Sequence, residues 1–258
     1  MAGGERFRRA RRRKRLYARV QRARRSDLAV RAGSAVIMLA LAAYALRQGD
    51  LAWVVFVAMI GLGIVWEWFH LARRIASRPA HLALWLAGGV AYVLAAAFTL
   101  VAIQREGGWL LVLAIAGSVV TTDVGAYFAG RAIGGPKIAP RISPSKTWAG
   151  LGGGMALTAA FLALFAWWTL EDRTALGQML VAALLVGPLI AVVAQAGDFF
   201  ESWMKRRAGV KDSGTLIPGH GGVLDRLDSV LFAAPVFFPL TRFGWSGCRP
   251  RPPGAPRR

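Results

Sequence analysis

Between Gly197 and Ser229 the sequence reads GDFFESWMKRRAGVKDSGTLIPGHGGVLDRLDS. If the helix carrying Asp198 continues through this run, Asp198, Ser202 and Lys205 fall at i, i+4 and i+7 and share one face, with Glu201 beside them. Pro218, Gly219, Gly221 and Gly222 then break the helix around His220. Glycines let a backbone approach a ligand closely, and successive N–H groups in a turn can cradle phosphate. A new helix follows, with Asp225 and Asp228 at i and i+3 on one face. Lys205, Lys211 and Arg226 supply positive charge nearby. Carboxylates, lysines and a Gly-rich turn are what phosphoryl chemistry needs. Mg²⁺ prefers carboxylate oxygens shared with substrate phosphates, and two metals can stabilise both oxygens of an in-line displacement.

The chain has only 13 acidic residues. Glu67, Asp123, Asp198, Asp225 and Asp228 lie in or beside apolar blocks. An ionised carboxylate in hydrocarbon is costly, so such groups face a cavity, a cation or a basic partner. Each also has a plainer reading. Asp198, Asp225 and Asp228 could form structural ion pairs with Lys205 or Arg226. Glu67 could pair with Arg73 or Arg74, Asp123 could be a helix-packing group, and His220 could be a turn residue. Lys205 and Lys211 could be simple loop charge.

These residues must be positioned by membrane helices. The chain has 258 residues, 55% of them hydrophobic, in blocks of the length that crosses a bilayer core. The spacing predicts an all-α, polytopic membrane bundle. It has about seven spans, within a range of six to nine, near 28–46, 51–71, 81–103, 109–129, 148–169, 175–199 and 223–245. A basic arm (1–26) precedes a single transmembrane catalytic domain (27–245), and a basic Pro-rich tail (246–258) follows. The net charge of +20 suggests an anionic lipid leaflet, not nucleic acid, because the arginines crowd the arm and the short gaps between blocks. With the arm inside, the loops 130–147 and 200–221 fall on the same, cytoplasmic side. Only Arg47, Arg105 and Arg173 fall in the outside loops. The basic tail breaks the pattern, since seven spans place it outside. The single cysteine, Cys248, excludes an intramolecular disulfide. The tryptophans read as interfacial anchors, and Gly152 to Gly154 read as a close helix contact.

Ser202, Lys205-Arg206, Lys211-Asp212, His220-Gly221-Gly222, Asp225-Arg226 and Asp228 together resemble the signature of phosphatidate cytidylyltransferases. A second stretch is also similar: Asp123, Gly125-Ala126-Tyr127-Phe128, Gly130-Arg131, Ser143-Pro144, Lys146-Thr147 and Gly150. The resemblance covers about residues 118–235, and the arm and tail lie outside it.

The resemblance implies transfer of a cytidylyl group from CTP to phosphatidate, giving CDP-diacylglycerol and pyrophosphate for phospholipid biosynthesis. It implies catalytic roles for Lys205, Lys211, Asp212, Arg226 and Asp228. Substrate contacts would come from Asp123, Tyr127, Ser143, Lys146, Ser202, His220, Gly221 and Gly222. Asp198, Asp225 and Asp228 would hold Mg²⁺, with a second cation left open. The expected setting is the bacterial inner membrane with a cytoplasmic site, and a homodimer is left open. The enzymatic alternative is a CTP-dependent polyprenol or phytol-type lipid kinase. The alternative from another class is a cation-coupled transporter.

Overall fold

The computed structural model describes residues 30–169, 173–219 and 221–244. The basic arm, His220 and the tail after 244 lie outside the described residues. The helices are α1 (Val30–Gln48), α2 (Asp50–Ile75), α3 (Pro79–Ala132), α4 (Trp148–Thr169), α5 (Arg173–Arg207) and α6 (Leu224–Gly244). Two short strands, β1 (Lys137–Ala139) and β2 (Ser143–Thr147), pair antiparallel between α3 and α4. The architecture is helical as expected, apart from this hairpin.

Among the described residues, five helices, α1 to α5, are long and apolar enough to cross a membrane. Leu39, Leu51, Leu62, Phe98 and Leu185 each expose more than two thirds of their surface. So much apolar area is compatible with hydrocarbon and a liability in water. The chain is a membrane protein.

At 54 residues, α3 would extend about 80 Å if straight, far more than a bilayer core of about 30 Å. It breaks at Gly108, whose φ of 63° and ψ of −160° belong to a region open in practice only to glycine. The first limb brings Trp85 to Trp203 of α5, with ring centroids 5.9 Å apart. The second limb packs Gly130 and Gly125 against the start of α4, beside the strand whose Lys146 pairs with Asp198 of α5. The break, near Ile103 and Leu111 in the core, lies at the opposite end. The two limbs therefore run antiparallel, matching the expected spans 81–103 and 109–129.

Small residues set the helix contacts, as lipid-embedded packing requires. A Cβ on Gly125 would lie 2.5 Å from the Gly153 carbonyl oxygen and 2.9 Å from Leu157 Cβ. Gly153 and Gly154 pack closely against α3, whereas Gly152 faces open space. Across the same contact Thr122 and Thr158 share a hydrogen bond of 2.8 Å, and each also engages the Ser118 carbonyl. Gly125→Val should lower stability by about 1–3 kcal/mol, because the carbonyl it would strike is backbone and cannot swing away. Thermal unfolding in detergent measures this, and an unchanged midpoint would refute the close contact.

Two tryptophans depart from the interfacial expectation. Trp53 and Trp68 are buried, and their indole N–H groups donate to the carbonyls of Leu100 (3.2 Å) and Trp85 (2.8 Å). The packing of α2 on the first limb of α3 captures them.

Candidate active site

The residues capable of chemistry meet where α2, both limbs of α3, α4, α5 and α6 place their ends together. Helix α5 continues to Arg207, so Asp198, Glu201, Ser202 and Lys205 do share a helix. Three consecutive basic residues, Lys205 to Arg207, close its last turn, where they suit the negative end of the helix dipole.

Lys205 anchors one cluster. Its Nζ donates to Glu201 at 2.7 Å and to Asp225 at 2.8 Å. Asp225, in the first turn of α6, also accepts from the Ser213 amide (3.1 and 3.0 Å to its two oxygens) and from the Gly222 amide (3.0 Å). Every one of these donors is an N–H, an environment that favours the ionised carboxylate. Glu201 is 4% exposed, and its Oε1 is buried without a hydrogen-bond partner.

Asp198 anchors the second cluster. It pairs with Lys146 and accepts from the Ser229 hydroxyl. The Ser229 amide donates to Asp228 at 2.7 Å, so one serine ties Asp198 and Asp228 together. Local chemistry presents Lys146. The next residue, Thr147, accepts from the Gly150 amide at 3.0 Å, the N-cap arrangement that starts α4. The Lys146 ammonium also lies 5.2 Å over the Phe199 ring. Asp123, on the second limb of α3, is exposed. Asp198 and Glu201 share α5, and Asp225 and Asp228 share the start of α6, so the two clusters form one site in which Lys146 pairs with Asp198 and Lys205 pairs with Glu201 and Asp225.

The Gly-rich turn is built around Glu67, which is 2% exposed. Glu67 does not take Arg73 or Arg74 as its partner. It accepts from the Ser213 hydroxyl (2.9 Å), the Val223 amide (3.0 Å) and the Leu224 amide (2.9 Å). The last two are donors that the start of α6 leaves without intrahelical partners. A Cβ on Gly214 or on Gly222 would lie 2.5 Å from a Glu67 oxygen, so both glycines are needed for the loop to close on it. Gly219 and Gly221 adopt φ of 76° and 83°, and Ile217 bonds back to Gly221 at 2.9 Å. Ser34 of α1 donates to the Pro218 carbonyl at 3.1 Å, which seats α1 beside the turn.

The remaining expected residues divide. Ser202 is half-buried between the clusters, and Gly221 and Gly222 lie against Asp225. Lys211, Asp212 and Arg226 are exposed at the rim. Ser143 lies on β2, three residues before Lys146. Tyr127 is exposed, and its hydroxyl accepts from Arg131 at 2.9 Å. His220 lies outside the described residues. Asp225 pairs with Lys205, a partner the ion-pair reading named, whereas Asp198 takes Lys146, which that reading did not name. Ser213 and Ser229, which join the carboxylates, had no signal in the sequence beyond standing next to Asp212 and Asp228.

Beside the site lies a cleft of about 340 Å³ lined by Trp68, Leu84, Trp85, Gly88, Tyr92, Phe200 and Phe232. The Tyr92 ring lies 5.3 Å from Phe232 and 6.4 Å from Phe200, between centroids.

The fold and this site define a polytopic membrane protein with a carboxylate–lysine centre at one end of its helices. Residues 80–243 match the model of the cytidylyltransferase family, and the chain belongs to that family. It is similar to a phosphatidate cytidylyltransferase of Brucella suis, 40% identical over 166 residues, which is 60% of this chain and 56% of the relative. Another phosphatidate cytidylyltransferase, from Rickettsia typhi, is 30% identical over 217 residues, covering 83% of this chain and 92% of the relative. One from Pseudomonas aeruginosa is 43% identical over 136 residues, covering 52% and 49%. The chain spans about half the length of the Brucella and Pseudomonas relatives it matches.

Proposed function

We propose that this protein transfers the cytidylyl group of CTP to phosphatidate, forming CDP-diacylglycerol and pyrophosphate. The observation that carries this reading is the convergence of two separate stretches. Lys146 of the 123–150 stretch meets Asp198, one turn before the Ser202–Asp228 stretch on the same helix. In the reaction a phosphatidate oxygen attacks the α-phosphorus of CTP. The new P–O bond forms as the bond to the β-phosphate's bridging oxygen breaks, and pyrophosphate leaves. No protein nucleophile is required, because the lipid phosphate is already an anion. Catalysis is then positioning and electrostatic stabilisation.

Lys205, held between Glu201 and Asp225, presents a fixed positive charge to the phosphates. Lys211 and Arg226 at the rim neutralise the departing pyrophosphate, while Lys146 and Ser202 orient CTP. The surplus of carboxylates over lysines, with the unpartnered oxygen of Glu201, suits a divalent cation such as Mg²⁺. Among the described residues no three acidic or histidine side chains already converge as a metal cage. Asp198 and Asp228 would hold the cation, with Asp225 on the adjoining turn of α6. The bound ion would supply charge neutralisation between the phosphates.

In this reading α1, α2, the two limbs of α3, α4, α5 and α6 make seven crossings. The positive-inside bias supports a site on the cytoplasmic face. The test is an assay of the detergent-solubilised protein with Mg²⁺, phosphatidate and CTP labelled at the α-phosphorus. Label should enter the organic phase. Lipid-linked label only from γ-labelled CTP would establish the kinase reading instead. Ion-coupled uptake by vesicles without CTP turnover would establish transport.

A further inference from the structure

We infer that the aromatic cleft seats an acyl chain of the lipid phosphate, so that α2, the first limb of α3, α5 and α6 read chain length while the polar clusters hold the head. This rests on the reading above and adds a specificity-determining surface to it. Three observations carry it.

The cleft offers almost no polar chemistry. Its walls are aromatic and aliphatic, and the Trp68 indole N–H is already spent on the Trp85 carbonyl. A nucleotide or a phosphate head would lose hydration there without replacement partners.

The cleft also joins two environments. Its outer edge is Leu84, 71% exposed on the membrane-facing side of the first limb of α3, with exposed Gly88 one turn on. Its inner edge meets the site. Phe200 directly precedes Glu201 on α5, and Phe232 lies one turn beyond Asp228 on α6, with the Tyr92 ring packed against both phenyl rings. One amphiphile can therefore place its head at the carboxylate–lysine clusters and its tail in the cleft.

The third observation is Gly88. A Cβ there would meet nothing within 4 Å, whereas the neighbouring Gly89 packs directly on Trp68. Helix packing explains the glycine at 89 and leaves the one at 88 unexplained. A Cβ at 88 stands in open space at the wall of the cleft, so the glycine there can be replaced without a backbone clash.

Gly88→Phe should raise KM for dioleoyl phosphatidate about tenfold, the effect of losing roughly two buried methylenes. KM for dihexanoyl phosphatidate and for CTP should stay within about twofold of wild type. Equal KM changes for both lipids, or none for either, would overturn the inference while leaving cytidylyl transfer intact. A wild-type protein without transfer would instead overturn the functional reading. The cleft is then judged separately, with a lipid phosphate carrying a chain-terminal diazirine. Photolabelling of the 84–92 segment by this lipid, and not by the phosphatidylcholine of the same chain, supports the inference. Equal labelling by both marks a general bilayer-lipid contact and refutes it.

Discussion

Asp225→Asn should reduce transfer of α-labelled CTP into lipid by about 10²–10³-fold, the usual cost of removing one fixed electrostatic element from a site of this kind. The carboxylate accepts from the Lys205 ammonium and from the amides of Ser213 and Gly222. An asparagine amide keeps one acceptor oxygen and turns its NH₂ toward one of these donors. With the NH₂ in place of Oδ1, Lys205 retains only Glu201; with it in place of Oδ2, the Gly222 amide loses its tie to α6. The loss should fall mainly on kcat, since the substitution leaves Lys146, Lys211 and Arg226, the groups proposed to meet the nucleotide, in place. Unchanged elution on size exclusion would show that the variant is folded. Activity within tenfold of wild type would remove Asp225 from the centre of the site.

Glu67→Ala should destabilise the protein by about 3–5 kcal/mol, because three donors lose their acceptor at about 1–3 kcal/mol each and are only partly rehydrated. Two of those donors begin α6, where a negative charge is also favoured by the helix dipole. Glu67→Gln should cost less, about 1–2 kcal/mol, since one oxygen remains while the amide group meets a donor. Thermal unfolding in detergent orders the three proteins, with wild type above Gln and Gln above Ala. Activity should follow the same order, as Asp225 shares Ser213 and the 222–224 turn with Glu67. Equal midpoints for all three would show that the loop does not depend on this carboxylate.

The apolar helices and the two motif stretches were legible in the sequence. Each is local: hydropathy over about 20 residues, or a run of spaced side chains. The shared face of Asp198, Ser202 and Lys205 was conditional on the helix running past its apolar block at 199, and α5 meets that condition by continuing to Arg207. The reversal within α3 was legible as two apolar blocks, but its hinge at Gly108 was not, since the neighbouring Gly107 carries the same local signal.

Only the tertiary structure decided the partners. Lys146 and Asp198 are 52 positions apart, and Glu67 and Leu224 are 157 apart. No periodicity couples such residues. Glu67 had basic residues close by in sequence, yet helix α2 turns it into the core and the Gly-rich loop closes on it. The division of the carboxylates between Lys146 and Lys205, and the cleft built from α2, α3, α5 and α6, follow from how the helices pack. The sequence determined which chemical groups this membrane protein brings to one end. Packing of distant helices, held close by glycines such as Gly125 and Gly222, determined which of those groups meet.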